Sequence, residues 1–369
     1  MTDGAAEAPR LSGALPNPAE EGPTTDSYRD AGVEPPPGGL RPVARSEVRA
    51  PYLGPTWLPG GHAQTIWPYL LPRPAVRYRR ERVDTADGDF WDFDWVDATD
   101  FKAGKPLVVL LHGLEGGSDS HYARALMAAV AAQGLRGVIP HFRGCGGEPN
   151  RLPRAYHSGD FAELDAIFTA IRARVSAETI VYAVGVSVGG SVLINWLGRT
   201  QRDAARVVTA AAAVSTPLDL SSAGIAIDRG FSQIYTRNFL GTLKPKSLAM
   251  AKQFPGLLDA TKVRKARTMH AFDDAVTAPL HGFADVADYW QRASSKPWLA
   301  SVAVPTLVLN ARNDPFVPEA SLPGLQDVSR DVLLEQPDEG GHVGFLLGPF
   351  PGKLDWLPRR LLDFFAHRR

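Results

Sequence analysis

Cysteine is nearly absent. A single residue, Cys145, occurs in 369, so no intrachain disulfide can form and metal sites built from several thiolates are excluded. Long apolar runs are missing too. The longest, such as Val207 to Val214, fall well short of the ~20 residues that a membrane helix needs, and the first thirty residues hold no signal-type apolar stretch. Charge of one sign is not in excess. Lys plus Arg and Asp plus Glu number 40 each, which gives no reason to expect nucleic acid or another polyanion as a partner. The short basic stretch Arg77 to Arg82 reads as a solvated face or a strand edge. The expectation is a cytoplasmic protein with no integral membrane segment, no metal and no cofactor.

What is present is apolar mass. Hydrophobic residues make up 44% of the chain, enough for a large core. Residues 1–45 differ in composition, with Pro9, Pro16, Pro18, Pro23, Pro35, Pro36, Pro37 and Pro42 among Gly, Ala and acidic residues. This segment buries too little to offset its ordering entropy and reads as a disordered Pro-rich tail. Residues 46–369 form the expected folded domain. Leu107 to Leu111, Gly137 to Pro140, Ile180 to Val184, Val207 to Val214 and Thr306 to Leu309 read as buried strands. They alternate with helices at Tyr122 to Gln133, Asp160 to Arg174 and from Ser191, which implies an α/β architecture, a mostly parallel sheet flanked by helices. Between about residues 216 and 304 the alternation lapses into helical stretches, and a helical cap is expected there. Phe231, Ile234, Tyr235, Phe239, Phe254, Leu257 and Leu258 in it are candidates for an apolar acyl site or for the cap's own core.

The chemistry centres on Gly185-Val186-Ser187-Val188-Gly189, set between a strand and a helix. A serine on such a strained turn, with glycines on both sides, is the nucleophile elbow of α/β hydrolases. The alternative is a Gly-rich turn that only permits close packing. In this fold the acid and then the base follow the nucleophile. Of the histidines after Ser187, His342 lies in a Gly-rich loop, His270 and His281 belong to the expected cap, and His367 is at the end. His342 is therefore the candidate base. Asp314, after the strand Thr306 to Leu309, is the candidate acid, with Asp219 the weaker competitor and a turn cap at Asp314 the bland reading. The oxyanion donors would be the backbone N–H groups of Leu114 and Val188. His112 reads as a structural residue, since zinc ligation lacks companions at the usual spacing. Cys145 lacks the strand-to-helix setting of a nucleophile, and no G-x-G-x-x-G dinucleotide fingerprint is present.

These residues, together with Trp57-Leu-Pro-Gly-Gly-His-Ala-Gln-Thr, Asp87-Gly-Asp-Phe-Trp-Asp-Phe-Asp-Trp, His112-Gly-Leu-Glu-Gly, His141-Phe-Arg-Gly-Cys-Gly-Gly, Tyr156-His-Ser-Gly-Asp, Asn313-Asp-Pro and Gly341-His-Val-Gly-Phe, make a recognisable set. The chain resembles the YheT-like α/β-hydrolase family, related to the eukaryotic abhydrolase-domain esterases and lipases. The resemblance covers about Pro55 to Phe365. It implies the α/β-hydrolase fold and a carboxylic-ester hydrolase, in some relatives acting on glycerolipids, with Ser187, Asp314 and His342 as the triad and Leu114 as an oxyanion donor. It further implies that His62 to Thr65 and Tyr156 to Gly159 matter to the fold or the site. The expected substrate is a small-molecule ester with an apolar acyl chain, cleaved through an acyl-enzyme on Ser187. Acyl transfer to an alcohol by the same residues, and a non-catalytic ligand-binding protein on the same scaffold, stay open at this point.

Overall fold

The computed structural model describes residues 52–96 and 104–368, all within one compact unit, Pro42–Arg369. The Pro-rich segment 1–45 lies outside the described residues. Eight strands form one sheet: β1 (Arg79–Asp84), β2 (Phe90–Val96), β3 (Leu107–Leu111), β4 (Arg136–Pro140), β5 (Val181–Val186), β6 (Ala210–Val214), β7 (Thr306–Leu309) and β8 (Val332–Glu335). Their spatial order is β1-β2-β4-β3-β5-β6-β7-β8. β1 pairs antiparallel with β2 and β2 antiparallel with β4, while every pairing from β4 to β8 is parallel. The helices are α1 (Gly61–Ile66), α2 (His121–Ala132), α3 (Phe161–Arg172), α4 (Val188–Thr200), α5 (Leu220–Ile227), α6 (Gln233–Gln253), α7 (Ala260–Lys265), α8 (Met269–Phe272), α9 (Ala278–Leu280), α10 (Val286–Ala293) and α11 (Trp356–Ala366). None among the described residues is long and apolar enough to cross a membrane.

The sheet lies between two helical layers. Leu107, Val109 and Leu111 of β3 join Leu164 and Phe168 of α3 and Trp196 of α4 in one core, whereas Val108 and Leu110 join Leu126 of α2 and Phe365 of α11 in the other. A strand buried on both sides reads as a continuous apolar run, which is why the parallel strands stand out in the sequence. Two boundaries differ from the sequence reading by three residues, and others, such as the end of β5 at Val186 rather than Val184, by one or two. β6 starts at Ala210, not Val207, because the Val207 and Val208 N–H groups bond back to the Ala204 carbonyl and close a short helical turn. α4 starts at Val188, three residues before Ser191, directly after the turn at Ser187.

Between β6 and β7 the chain is helical, from α5 through α10. Leu240, Leu243, Leu258, Val263, Met269 and Phe272 pack there into a cluster with Phe316 and Val317. A second cluster forms around Trp290, Tyr289 and Val286.

Candidate active site

β5 ends at Val186 and α4 begins at Val188, so Ser187 alone turns the chain. It does so at φ 54°, ψ −121°, a left-handed backbone that costs a non-glycine residue about 1–3 kcal/mol. The turn is held by Ser187 N–H donating to Val214 O (2.9 Å) and by Ser187 O accepting from Ser191 N–H (3.1 Å). Glycine is required on either side. A Cβ on Gly185 would stand 2.7 Å from the Gly190 Cα, and one on Gly189 would stand 2.6 Å from the His112 carbonyl oxygen. Without those side chains the helix start and the end of β3 close around the serine.

The loops after β7 and β8 bring two more groups to it. His342 Nε2 lies 3.1 Å from Ser187 Oγ, and His342 Nδ1 lies 2.9 Å from Asp314 Oδ2. Asp314 Oδ1 accepts from the Phe316 N–H at 2.8 Å, so the carboxylate is fixed at both oxygens. The Phe316 ring stacks on the imidazole, with centroids 4.1 Å apart. Asp314 and His342 are both buried. Such a chain can lift a proton from the hydroxyl to the imidazole, with the carboxylate fixing which ring nitrogen carries the hydrogen.

The loop after β3 carries Leu114. Gly113 N–H donates to Tyr122 Oη (2.9 Å), and Glu115 N–H donates to Tyr156 Oη (2.7 Å), so the Leu114 amide is fixed from both sides. Glu115 takes a positive φ of 53°, and its carboxylate meets Lys246 of α6 at 2.7 Å. Among the described residues neither the Leu114 nor the Val188 N–H donates a hydrogen bond, and both residues line the same cavity as Ser187 and His342. Two unengaged amides beside a hydroxyl, one of them at a helix N-terminus, suit a developing oxyanion.

Sequence reasoning gave α1 no chemistry, yet it holds this site together. Gln64 Oε1 accepts from Gly340 N–H (2.8 Å) and Asn313 Nδ2 (2.9 Å). Thr65 Oγ1 accepts from His342 N–H (2.9 Å) and donates to Gly61 O (2.7 Å). Asn313 Oδ1 accepts from Gly341 N–H at 2.9 Å. The buried pair Gln64 and Thr65 therefore clamps the histidine loop to the aspartate turn. His62, next to them, stands with Nδ1 3.2 Å from Tyr235 Oη on α6.

The competitors are occupied elsewhere. Asp219 caps α5 by accepting from Ser222 N–H at 3.1 Å. His270 is exposed, its ring 5.3 Å from Trp290, and His367 is exposed beside Asp363 O. His112 is fully buried, Nδ1 donating to Gly113 O (2.8 Å) and Nε2 accepting from Phe142 N–H (3.1 Å). Burial, reinforced by the nearby His141, pushes its pKa down to about 3, and the neutral ring braces the Leu114 loop. Burial and the Glu115 charge push the Cys145 thiol up to about 12, so it is no thiolate at neutral pH. No cluster of three or more metal-ligating side chains occurs among the described residues.

The sequence profile described as alpha/beta hydrolase fold matches residues 106–349. "Putative esterase YheT" of Escherichia coli (strain K12) is 36% identical over 309 residues, covering 83% of this chain and 90% of that protein. "Phospholipase ABHD3" of Mus musculus is 29% identical over 325 residues, covering 86% of this chain and 78% of that protein. The chain belongs to the alpha/beta hydrolase family. It is an enzyme of the esterase and lipase type found among these relatives. Among solved structures, Est1E from Butyrivibrio proteoclasticus bound to ferulic acid superposes with a TM-score of 0.51 at 16% identity, over 78% of this chain and 98% of that one. The Pyrococcus furiosus esterase Pf2001 does so at 0.51 and 16%, over 80% and 96%. Both likenesses concern the fold alone.

In this alpha/beta hydrolase a cavity of about 460 Å³ opens on Ser187 and His342. Leu220, Ile227, Phe239, Leu243, Met250 and Phe272 from the helical segment line it on one side. Of the apolar residues singled out from the sequence, Phe239 and Phe254 line this cavity. Tyr235, Leu257 and Leu258 pack in the segment's own core. Phe231 and Ile234 do neither, because their side chains are exposed. Tyr156 was also named only through family resemblance. Its part in holding Glu115 had no local sequence signal, since the two residues are 41 positions apart.

Proposed function

We propose that the protein is a serine esterase that cleaves carboxylic esters with an apolar acyl chain through an acyl-enzyme on Ser187. Ser187 Oγ attacks the ester carbonyl while His342 Nε2 takes its proton, and Asp314 accepts from the Nδ1–H of the resulting imidazolium. The carbonyl oxygen, now negative, is bound by the Leu114 and Val188 amides. The tetrahedral adduct collapses, His342 gives its proton to the departing alkoxide, and the alcohol leaves. Water then repeats the sequence on the acyl-enzyme, His342 acting first as base and then as acid. No metal or cofactor takes part. Residues 216–304 act as a cap whose inner side receives the acyl chain. The enzyme works in the cytoplasm, where its lone thiol, Cys145, stays reduced.

The observation that carries this reading is the continuous hydrogen-bond chain from Ser187 Oγ to His342 (3.1 Å) and on to Asp314 (2.9 Å). The test is hydrolysis of a p-nitrophenyl ester series from acetate to palmitate by wild type and Ser187→Ala. The wild type turns over medium or long acyl chains best, and Ser187→Ala loses about 10⁴-fold or more in kcat. Full activity in the variant, or none in the folded wild type, refutes the reading.

A further inference from the structure

Charge is spread unevenly over the helical segment. Residues Arg229 to Arg267 hold nine Lys and Arg and one acidic residue, Asp259, in a chain whose totals are 40 and 40. Asp259 is turned onto its own helix, accepting from the Thr261 and Lys262 N–H groups at the start of α7. Among the described residues only Lys246 of the nine cations has an ion-pair partner, Glu115.

α6 runs through this stretch with two opposed faces. Phe239, Leu243, Met250 and Phe254 line the cavity. Ile234, Arg237, Gly241, Pro245 and Lys252 are exposed, on the side that a helical turn of 100° per residue sets opposite. Phe231, in the turn leading into α6, is 58% exposed and Ile234 is 48% exposed. α7 lies along the second half of α6, where Lys244 Nζ donates to the Arg264 and Ala266 carbonyls at 2.6 and 2.9 Å. Lys262, Arg264 and Lys265 of α7 are exposed, as is Lys252 of α6. The outer surface is thus a field of unpaired cations with an aromatic and a branched aliphatic side chain standing out of it.

We propose that this outer face of α6 and α7 docks on an anionic lipid bilayer. Cations alone would suit any polyanion, but Phe231 and Ile234 select a surface with an apolar interior. They enter the boundary between headgroups and acyl chains, while Arg237, Lys252, Arg264 and Lys265 stay at the level of the phosphates. The purpose of such docking rests on the esterase reading: the cavity lies behind the same helix, and esters with long acyl chains reside in bilayers. The docking itself does not depend on that reading.

The test is co-sedimentation of the full chain with phosphatidylcholine vesicles, with and without phosphatidylglycerol. Recovery with the anionic vesicles is expected to exceed that with neutral ones by about tenfold, and to fall steeply as salt is raised. Phe231→Ser with Ile234→Ser, and separately Arg237→Gln, Lys252→Gln, Arg264→Gln and Lys265→Gln combined, should each lower it about tenfold while hydrolysis of a water-soluble ester is unchanged. Tryptophan fluorescence of Ile234→Trp should shift to the blue with anionic vesicles. Equal recovery with neutral vesicles, unaltered recovery of both variants, or retention on heparin without vesicle binding overturns the proposal. Vesicle binding is read without catalysis, so inactive protein that still sediments leaves docking in place, and active protein that does not sediment removes it.

Discussion

Ser187 is the residue on which backbone and chemistry meet, since its positive φ aims Oγ away from both β5 and α4 and toward His342. Asp314 never touches the serine, and its effect passes through the imidazole. Asp314→Asn should therefore lower kcat by about 10³–10⁴-fold with KM little changed, read from steady-state kinetics on one soluble ester; a KM effect alone would contradict this. Buried histidines set the acid limit. Burial holds the pKa of His112 and His281 down to about 3 and that of His121 down to about 4. Unfolded, each titrates near 6.5, so between those values the unfolded chain binds more protons and stability falls with falling pH. Burial lowers His157 as well, while Asp273, raised by burial to about 6, and Asp331, also raised by burial, work in the opposite sense, two carboxyls against four imidazoles. Melting temperature should drop between pH 6.5 and 5, above the ordinary carboxylate range, and a flat profile there would contradict the assignment. At this scale the sequence was most informative: Ser187 and Asp314 each follow a recognisable strand, His342 stands in a Gly-rich loop late in the chain, and the structure brings the three within hydrogen-bonding distance. Gln64 and Tyr156 gave no such signal, because their partners lie 276 and 41 positions away.

At the scale of elements, α1 is a six-residue helix with a structural task larger than its length suggests. Gln64→Leu strands the Gly340 N–H and the Asn313 amide, both beside the histidine loop. It should cost about 1–3 kcal/mol in denaturant unfolding and lower kcat at least about tenfold. Loss of stability with kcat intact would mean that α1 supports the fold without positioning His342. The strands β3 to β7 were legible as apolar runs, whereas β1, β2 and the parallel edge strand β8 were not. β2 is buried along its whole length yet carries Asp92 and Asp94, which break any hydrophobic pattern. Their charges are matched across the sheet edge by Arg82 at 2.9 Å and Arg80 at 2.8 Å. The stretch Arg77 to Arg82, legible as a strand edge, supplies these partners.

Across the whole molecule, polar networks join segments far apart in the chain. Arg143 is buried between Asp89 (2.8 Å), Asp87 (2.9 Å) and Glu163 (2.6 Å), and the Trp91 indole also donates to Glu163. The motifs at 87–95 and 141–147, specific to the family resemblance, are therefore two halves of one scaffold that holds β2 to α3. Arg143→Met leaves Asp89 buried without its cation and Glu163 with Arg154 alone, at 3.2 Å, and should cost about 3–5 kcal/mol, read from the denaturation midpoint; a shift below about 1 kcal/mol would contradict this role. Whole-chain charge is the one place where composition misled. A balance of 40 against 40 hides the cationic outer face of α6 and α7, because a total carries no information about position.

Everything proposed for the chemistry depends on Ser187 being a nucleophile activated through His342. The most direct measurement is intact mass and peptide mapping after reaction with a fluorophosphonate probe. One adduct is expected, on Ser187, absent in Ser187→Ala and slowed by at least about 10³-fold in His342→Ala. Folded wild-type protein that takes no label, or takes it at another residue, would contradict it.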